Sequence, residues 1–230
     1  MMKRYILAIL LVLFSSQLWA EEQKFEGLQL ATAPINEFDM DAVKRGAKFF
    51  ATNCMSCHTL TYLRYDKVAK DAGIVTDKKP ISINGVTPPD LSLEADVRGV
   101  DWIYTYLHSF YKDPATASGV NNLIFPGTAM PAIVAPFQGE QVLVEKPMHD
   151  LLNQVQWYDL VKPVKQGSMT PEEFDKAVAD VVTFLAYAAE PYHAEQERLG
   201  YWVLGFLVIL FVMMYLLKKE YWKDVKKTRQ

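Results

Sequence analysis

Cys54-Met55-Ser56-Cys57-His58 decides the fold of this 230-residue chain, and it contains both of the chain's cysteines. Two thiols three positions apart lie on one side of a helical turn, so each can add to one vinyl group of a haem. The histidine that follows then directs its imidazole at the iron as the proximal ligand. The spacing therefore predicts one covalent haem c, with the other ring nitrogen of His58 donating to a backbone carbonyl.

Two other uses of paired cysteines fit the sequence less well. A thioredoxin-like pair belongs to a βαβ context, and no strand-rich stretch precedes Cys54. A structural zinc site needs four ligands. The remaining histidines show no pairing at short spacing and are expected to be structural or surface residues: His108, His149 and His193. A Ser/His/Asp or two-carboxylate catalytic constellation is likewise missing from the sequence.

The first twenty residues have the features of a secretory signal. Lys3 and Arg4 precede an apolar run over 5–14, and Ala20 is a small residue before two glutamates. The run is shorter than the roughly 20 apolar residues that a full membrane span needs. We therefore expect a signal peptide over 1–20 that is cleaved near Ala20.

The other end of the chain predicts a membrane span. Residues 201–217 carry no charge, and Tyr201, Trp202 and Tyr215 suit the membrane interfaces. We expect a transmembrane helix over 200–217. The tail over 218–230 holds six basic and two acidic residues, a net charge of +4. By the positive-inside rule that tail is cytoplasmic, which places the haem domain in the periplasm of a bacterium, anchored in its inner membrane.

The segment between the signal and the span predicts one acidic domain over 21–199. It carries 16 basic and 25 acidic residues, a net charge of −9, which discourages nucleic-acid binding and favours basic partners. Periodicity and breakers predict mostly helix and loop with little strand. In chain order we expect a helix over 39–53, a loop over 76–93, a helix over 101–111, irregular chain over 119–138, a short strand over 142–144, a helix over 170–189, and a helix from 193 through the span. The first of these helices has its apolar face at Val43, Ala47, Phe50 and Ala51. The helix over 170–189 begins with a Thr170–Glu173 capping box and carries one apolar stripe.

A haem that carries electrons usually has a second protein ligand, and a methionine thioether raises its reduction potential. The mature body contains five methionines: Met40, Met55, Met130, Met148 and Met169. Met55 lies inside the attachment loop and cannot reach around the ring. Met130 follows Phe125-Pro126-Gly127, whose proline and glycine fix an irregular loop that can hold a side chain over the distal face. Spacing alone leaves Met148 as a serious rival.

Five sequence features together resemble the cytochrome c1 family of the cytochrome bc1 complex over most of the mature chain. They are Arg45-Gly46 ahead of the attachment motif, Pro88-Pro89-Asp90-Leu91-Ser92, the stretch 122–127 (N-L-I-F-P-G) leading to Met130-Pro131, the stretch 184–191 (F-L-A-Y-A-A-E-P), and the single C-terminal anchor with its basic tail.

The resemblance implies a mostly α fold, a cytochrome c-like monohaem domain with long irregular loops plus one C-terminal transmembrane helix. It implies that Met130 is the distal ligand and that Arg98 lies near the haem propionates. Trp102 stands where relatives often have tyrosine, so no role is carried over for a hydroxyl at that position.

The implied function is electron transfer without substrate bond chemistry of its own. The protein would accept electrons from a Rieske iron–sulfur protein, next to cytochrome b, and pass them to a c-type cytochrome. Two classes of alternative remain. One is a membrane-anchored monohaem subunit of a terminal oxidase, or a free-standing anchored cytochrome. The other is a haem-based gas sensor, or a protein that needs haem only to fold, with an open or exchangeable sixth coordination site.

Overall fold

The computed structural model describes residues 28–82, 85–144 and 155–227, and about half of the chain is helical. The predicted signal peptide and Met148 lie outside the described residues. The helices are α1 (Met40–Asn53), α2 (Lys67–Asp71), α3 (Glu94–Arg98), α4 (Val100–His108), α5 (Ala135–Gln138), α6 (Trp157–Leu160), α7 (Pro171–Ala189) and α8 (His193–Lys227). The strands are β1 (Leu28–Gln29), β2 (Phe110–Lys112), β3 (Val120–Asn122), β4 (Gly139–Leu143), β5 (Val155–Gln156) and β6 (Val161–Gln166).

The described residues divide into two compact units. The first contains the described residues of 28–34, 82–88 and 98–179, and the second those of 35–81, 89–97 and 180–227. The attachment motif therefore belongs to the second unit, while Arg98 and Met130 belong to the first.

Helix α1 forms where the apolar periodicity predicted it. Asp39 caps its N-terminus, because one carboxylate oxygen accepts from the backbone N–H groups of Asp41 at 3.0 Å and Ala42 at 3.2 Å. The predicted apolar face is the buried one, since Val43, Ala47 and Phe50 are fully inaccessible to solvent. The helix ends at Asn53 and leads directly into the attachment motif.

Helix α7 begins with the capping box that the sequence predicted. The Thr170 N–H donates to the Glu173 carboxylate at 2.9 Å, and the Glu173 N–H donates to the Thr170 hydroxyl at 3.3 Å. The sequence predicted a single apolar stripe, but every residue over 178–186 is buried. Residues 178–186 are therefore buried on every face of the helix, whereas an amphipathic pattern indicates burial of one face only.

The short strands of the first unit form a sheet that the sequence did not indicate, in which β3, β2, β4 and β6 are neighbours in that order. Strands β2 and β3 are antiparallel, with Phe110 opposite Asn122. Strands β2 and β4 are parallel, and β4 and β6 are antiparallel. An apolar cluster in the same unit contains Tyr111, Leu123, Val155, Leu160 and Val161.

The structure changes the assignment of two predicted segments. The helix expected to reach residue 111 ends at His108, and the irregular chain expected over 119–138 contains β3 and α5. Pairing between β2 and β3 joins residues that are 8 to 12 positions apart, so each three-residue strand depends on a partner outside its own segment. The strand predicted over 142–144 is confirmed at two of its three residues, because β4 ends at Leu143.

Helix α8 begins at His193, as predicted, and is 35 residues long. Its stretch Gln196–Lys223 is long and apolar enough to cross a membrane, and none of its most apolar window is buried in the protein. At about 1.5 Å rise per residue, that length exceeds the roughly 30 Å hydrocarbon core of a bilayer.

Candidate haem site

The attachment motif is a tight turn that continues the end of α1. The Cys54 N–H donates to the Phe50 carbonyl at 2.8 Å, as in one more helical turn. The N–H groups of Cys57 and His58 both donate to the Cys54 carbonyl, at 3.1 Å and 2.9 Å. The chain therefore turns around Cys54, and the two thiols and the imidazole come from a single compact turn.

Both cysteines are free thiols and both are half-buried. Burial, with a smaller effect of Cys57, raises the pKa of the Cys54 thiol to about 12.

The imidazole of His58 is oriented by a backbone carbonyl, as the sequence predicted. Its Nδ1 lies 2.9 Å from the Pro89 carbonyl oxygen. Because a carbonyl can only accept, Nδ1 donates, and Nε2 is left with the lone pair that a metal ligand needs. Burial lowers the pKa of the His58 imidazole, outweighing the opposite effect of the Pro89 bond, so the neutral ligand form is favoured.

Asp90 ties the segment that carries the Pro89 carbonyl to the chain just after His58. Its Oδ2 accepts from the Thr59 hydroxyl at 2.6 Å and from the Thr61 N–H at 3.0 Å, and its Oδ1 accepts from the Ser92 N–H at 2.9 Å. The Leu91 N–H adds a bond to the Thr59 carbonyl at 2.9 Å. Burial alone would raise the pKa of Asp90, but these hydrogen bonds together lower it to about 2.

The donor set fits a covalent haem. Two free thiols and a neutral imidazole with an available Nε2 lie within five residues, which is what two thioether bonds and one axial iron ligand require. Across the described ranges, no group of three or more His, Cys, Asp and Glu side chains could hold a metal ion by itself. Cys54, Cys57 and His58 would hold the haem, and the haem would supply a one-electron Fe(II)/Fe(III) couple.

The loop that contains Met130 is fixed by two asparagines in the first unit. The buried Asn122 accepts from the N–H groups of Ile124 at 3.0 Å and Phe125 at 3.3 Å, and donates to the Tyr106 carbonyl at 2.8 Å. The Asn121 side chain accepts from the Gly127 N–H at 2.8 Å. Gly127 has φ +76°, a conformation that favours glycine.

Met130 itself is held by its backbone. Its N–H donates to the Thr128 hydroxyl at 3.3 Å, and that oxygen lies 2.8 Å from the buried Tyr106 hydroxyl. Burial raises the pKa of Tyr106 to about 12, so the phenol stays protonated and can take part in this bond. The side chain of Met130 is half-buried, and its role as a ligand stays a prediction.

Two of the other described methionines, Met40 and Met55, have different environments. Met40 is 40% exposed at the start of α1. The Met55 sulfur accepts from the Val75 N–H at 3.2 Å, so it already has a partner within the second unit.

Arg98 lies in an aromatic cluster of the first unit. Its guanidinium lies 4.3 Å from the centre of the Trp102 ring and 5.4 Å from that of Phe125. The Trp102 ring stacks on Tyr106 at 5.0 Å. Cation–π contacts hold the Arg98 head group in one place, and its role towards the haem propionates stays a prediction.

Sequence reasoning missed residues that position these groups. Asp90 belongs to the motif Pro88-Pro89-Asp90-Leu91-Ser92, but the sequence assigned it no role. Because it is far from His58 along the chain, no local pattern indicates that it is bound to the residues just after that histidine. Thr128 and Tyr106 act through a contact between residues 22 positions apart. Only the proline and glycine of the loop indicated that this segment is fixed.

A turn that presents two free thiols and a carbonyl-oriented histidine, in a chain with a helix of membrane-spanning length, defines a membrane-anchored c-type cytochrome. Comparison with known proteins narrows that class. The Cytochrome C1 family model matches residues 30–82 and 75–225. The chain belongs to the cytochrome c1 family, whose members are haem proteins of respiratory electron transport.

Similarity to individual relatives extends over nearly the whole chain. The chain is 40% identical to cytochrome c1 of Allochromatium vinosum over 97% of this chain and 100% of that protein. It is 38% identical to a Nitrosomonas europaea protein named ammonia monooxygenase gamma subunit, over 98% of this chain and 99% of that protein. It is 27% identical to cytochrome c1 of Blastochloris viridis over 84% of each chain.

Proposed function

We propose that this protein is the haem c electron carrier of a bacterial bc1 complex. It accepts electrons from the Rieske iron–sulfur protein of that complex, is assembled with cytochrome b, and passes the electrons to a c-type cytochrome. It breaks no substrate bond, and its own residues attach the redox group, orient the axial ligand and set the local charge.

The observation that carries the proposal is the hydrogen bond from His58 Nδ1 to the Pro89 carbonyl at 2.9 Å. It selects the tautomer and ring orientation in which Nε2 is available to iron, and it comes from the motif Pro88-Pro89-Asp90-Leu91-Ser92 that the family resemblance includes. A zinc site could use the same orientation of His58, but it needs four ligands, and the described residues contain no group of three or more His, Cys, Asp and Glu side chains that could hold a metal ion.

Met130 completes the coordination in this proposal, and Arg98 neutralises haem propionate charge. The support for Met130 is a loop whose backbone is fixed by Asn121, Asn122 and Thr128. The support for Arg98 is a guanidinium already held on Trp102, since an ordered cation loses little conformational freedom when it pairs with a carboxylate.

The proposed topology has a cleaved signal peptide at 1–20, a periplasmic haem domain at 21–199, a transmembrane helix at 200–217 and a cytoplasmic tail at 218–230. The net charge of +4 on that tail supports the orientation. A cytoplasm-active reporter fused after Gln230 should be active, and an export-dependent reporter at the same place should be silent. The opposite pattern would reverse the topology.

The deciding experiment is purification of the full chain in mild detergent, followed by spectra and identification of the bound subunits. We expect one haem c per chain in a pyridine haemochrome spectrum, and cytochrome b with a Rieske protein in the same fraction. Extractable haem would contradict covalent attachment. Recovery of oxidase or monooxygenase subunits in place of cytochrome b would contradict the assignment to a bc1 complex.

A further inference from the structure

Lys78 lies in the long loop before Pro88-Pro89, yet its ammonium group is bound to the attachment turn. Its Nζ donates to the Met55 carbonyl at 2.6 Å and to the Ser56 carbonyl at 2.5 Å. These two carbonyls belong to the residues between the two thiols. Lys78 is half-buried, whereas the neighbouring Lys79 is exposed.

The position of Lys78 has a physical reason. The carbonyls at the end of a helix have no partners within it, and the aligned peptide dipoles make that end negative. The turn at 54–58 continues the end of α1, so a cation placed there satisfies two carbonyls and opposes the negative end of the helix. The Val75 N–H, which bonds the Met55 sulfur at 3.2 Å, attaches the same segment a second time.

We propose that Lys78 is a positioning residue of the haem site: it holds the Met55 and Ser56 carbonyls and places a fixed positive charge beside the attachment turn, which raises the reduction potential of the haem. This inference rests on the proposed covalent haem. A nearby positive charge disfavours Fe(III), which carries one more charge than Fe(II). The hydrogen bonds also keep the turn from opening when the iron changes its charge.

The test compares four variants of the full-length holoprotein in detergent by optical redox titration. Lys78→Met removes both the charge and the donors, Lys78→Gln removes the charge, and Lys78→Arg keeps it. Lys79→Met is the matched control, because it changes the net charge equally at an exposed neighbouring residue. We expect Lys78→Met and Lys78→Gln to reduce the equilibrium constant for reduction by roughly threefold to tenfold, the effect of one partly screened charge. Lys78→Arg and Lys79→Met should stay within about twofold of wild type.

A merely structural role would not produce this pattern of potentials. If Lys78→Met and Lys79→Met have the same potential, the inference is overturned. If Lys78→Met loses its haem, the pair Lys78→Gln and Lys78→Arg decides: a lower potential in the glutamine variant supports the charge, and equal potentials overturn it. A wild-type protein without covalent haem would instead overturn the proposed function, and the haemochrome spectrum reveals that before any titration.

Discussion

Met130 is the residue whose proposed role is most open to direct test. Replacing it with leucine removes the thioether that favours Fe(II) but retains an apolar side chain of similar volume. We expect Met130→Leu to lower the reduction potential by on the order of 0.1 V, a fraction of the roughly 0.8 V that axial ligands span. The reduced protein should then bind carbon monoxide, measured by its optical difference spectrum.

Met148→Leu is the matched control for the ligand assignment. It should leave the potential and the carbon monoxide spectrum unchanged. If Met148→Leu opens the iron and Met130→Leu does not, the ligand role passes to Met148. Carbon monoxide binding to the reduced wild-type protein would favour the gas-sensor alternative.

Asp90 makes a pH-dependent contribution to stability. Its pKa is about 2 in the folded protein against an ordinary value of 3.8, so the folded state favours the carboxylate. The contribution is complete above about pH 4 and is lost as the pH falls from there towards 2. Because the group is partly exposed, we expect only about 1 kcal/mol from the charged carboxylate.

The Asp90→Asn variant tests this contribution. The amide nitrogen of the variant is a donor, and it would face N–H or O–H donors that bond to a carboxylate oxygen in the wild-type protein. The free energy of unfolding should therefore fall at pH 7. The difference from wild type should shrink below pH 3. Urea unfolding at a series of pH values measures both effects. Asp96→Asn removes a charge from an exposed position and should change little. A constant difference between Asp90→Asn and wild type across the pH series would contradict the assignment.

At the scale of elements, α1 and the second half of α7 are joined in the second unit by a close approach and an ion pair. Arg45 binds Asp180 through two hydrogen bonds of 2.7 Å each. A Cβ added at Gly46 would overlap the Asp180 backbone carbonyl. Phe50 and Phe184 pack next to this contact, with ring centres 5.7 Å apart. Gly46 therefore lets α1 approach the backbone of α7 closely, and Arg45 binds Asp180 at the same contact.

Gly46→Ala should destabilise the protein because the overlap involves backbone and cannot be relieved by a side-chain rotation. We expect a loss of about 1 to 3 kcal/mol in the free energy of unfolding, which is the usual cost of overpacking. Thermal or urea unfolding measures it. The control is Gly205→Ala on α8, where a Cβ meets no atom within 4 Å and should be neutral. Equal stability of Gly46→Ala and wild type would show that the two helices can separate.

The same elements show how much of the fold the sequence predicts. Helices α1, α7 and α8 have their signals within the helix itself: the apolar periodicity of α1, the Thr170–Glu173 capping box of α7, and the long uncharged run of α8. The four-stranded sheet has short strands that gain their stability from distant partners, so local pattern did not indicate it. The residues of the haem site also fall into those that a local pattern predicts and those that it does not. The motif predicts Cys54, Cys57 and His58, but the hydrogen bonds of Lys78 and Asp90 depend on how the chain folds back on itself.

At the scale of the whole molecule, charge is strongly segregated along the chain. The segment over 21–199 has a net charge of −9 and the segment over 218–230 has +4. Basic residues at one end of a membrane span fix orientation, whereas a net negative domain affects which soluble partners approach it. The acidic residues at the start of α7, including Glu172 and Glu173, also favour that helix N-terminus, so they are not specific evidence of docking.

The acidic domain predicts that electron transfer to a basic acceptor depends on salt. Long-range attraction raises the encounter rate without tight binding, and it is screened beyond about 8 Å at physiological ionic strength but only beyond about 30 Å at 0.01 M. Stopped-flow oxidation of the reduced protein by a basic c-type cytochrome should therefore slow by roughly tenfold or more between these conditions. An acidic acceptor of similar potential is the control, and its rate should stay level or rise as repulsion is screened. A salt-independent rate with the basic acceptor would show that the net charge of −9 does not steer the encounter, and a tethered acceptor would then fit the molecule better.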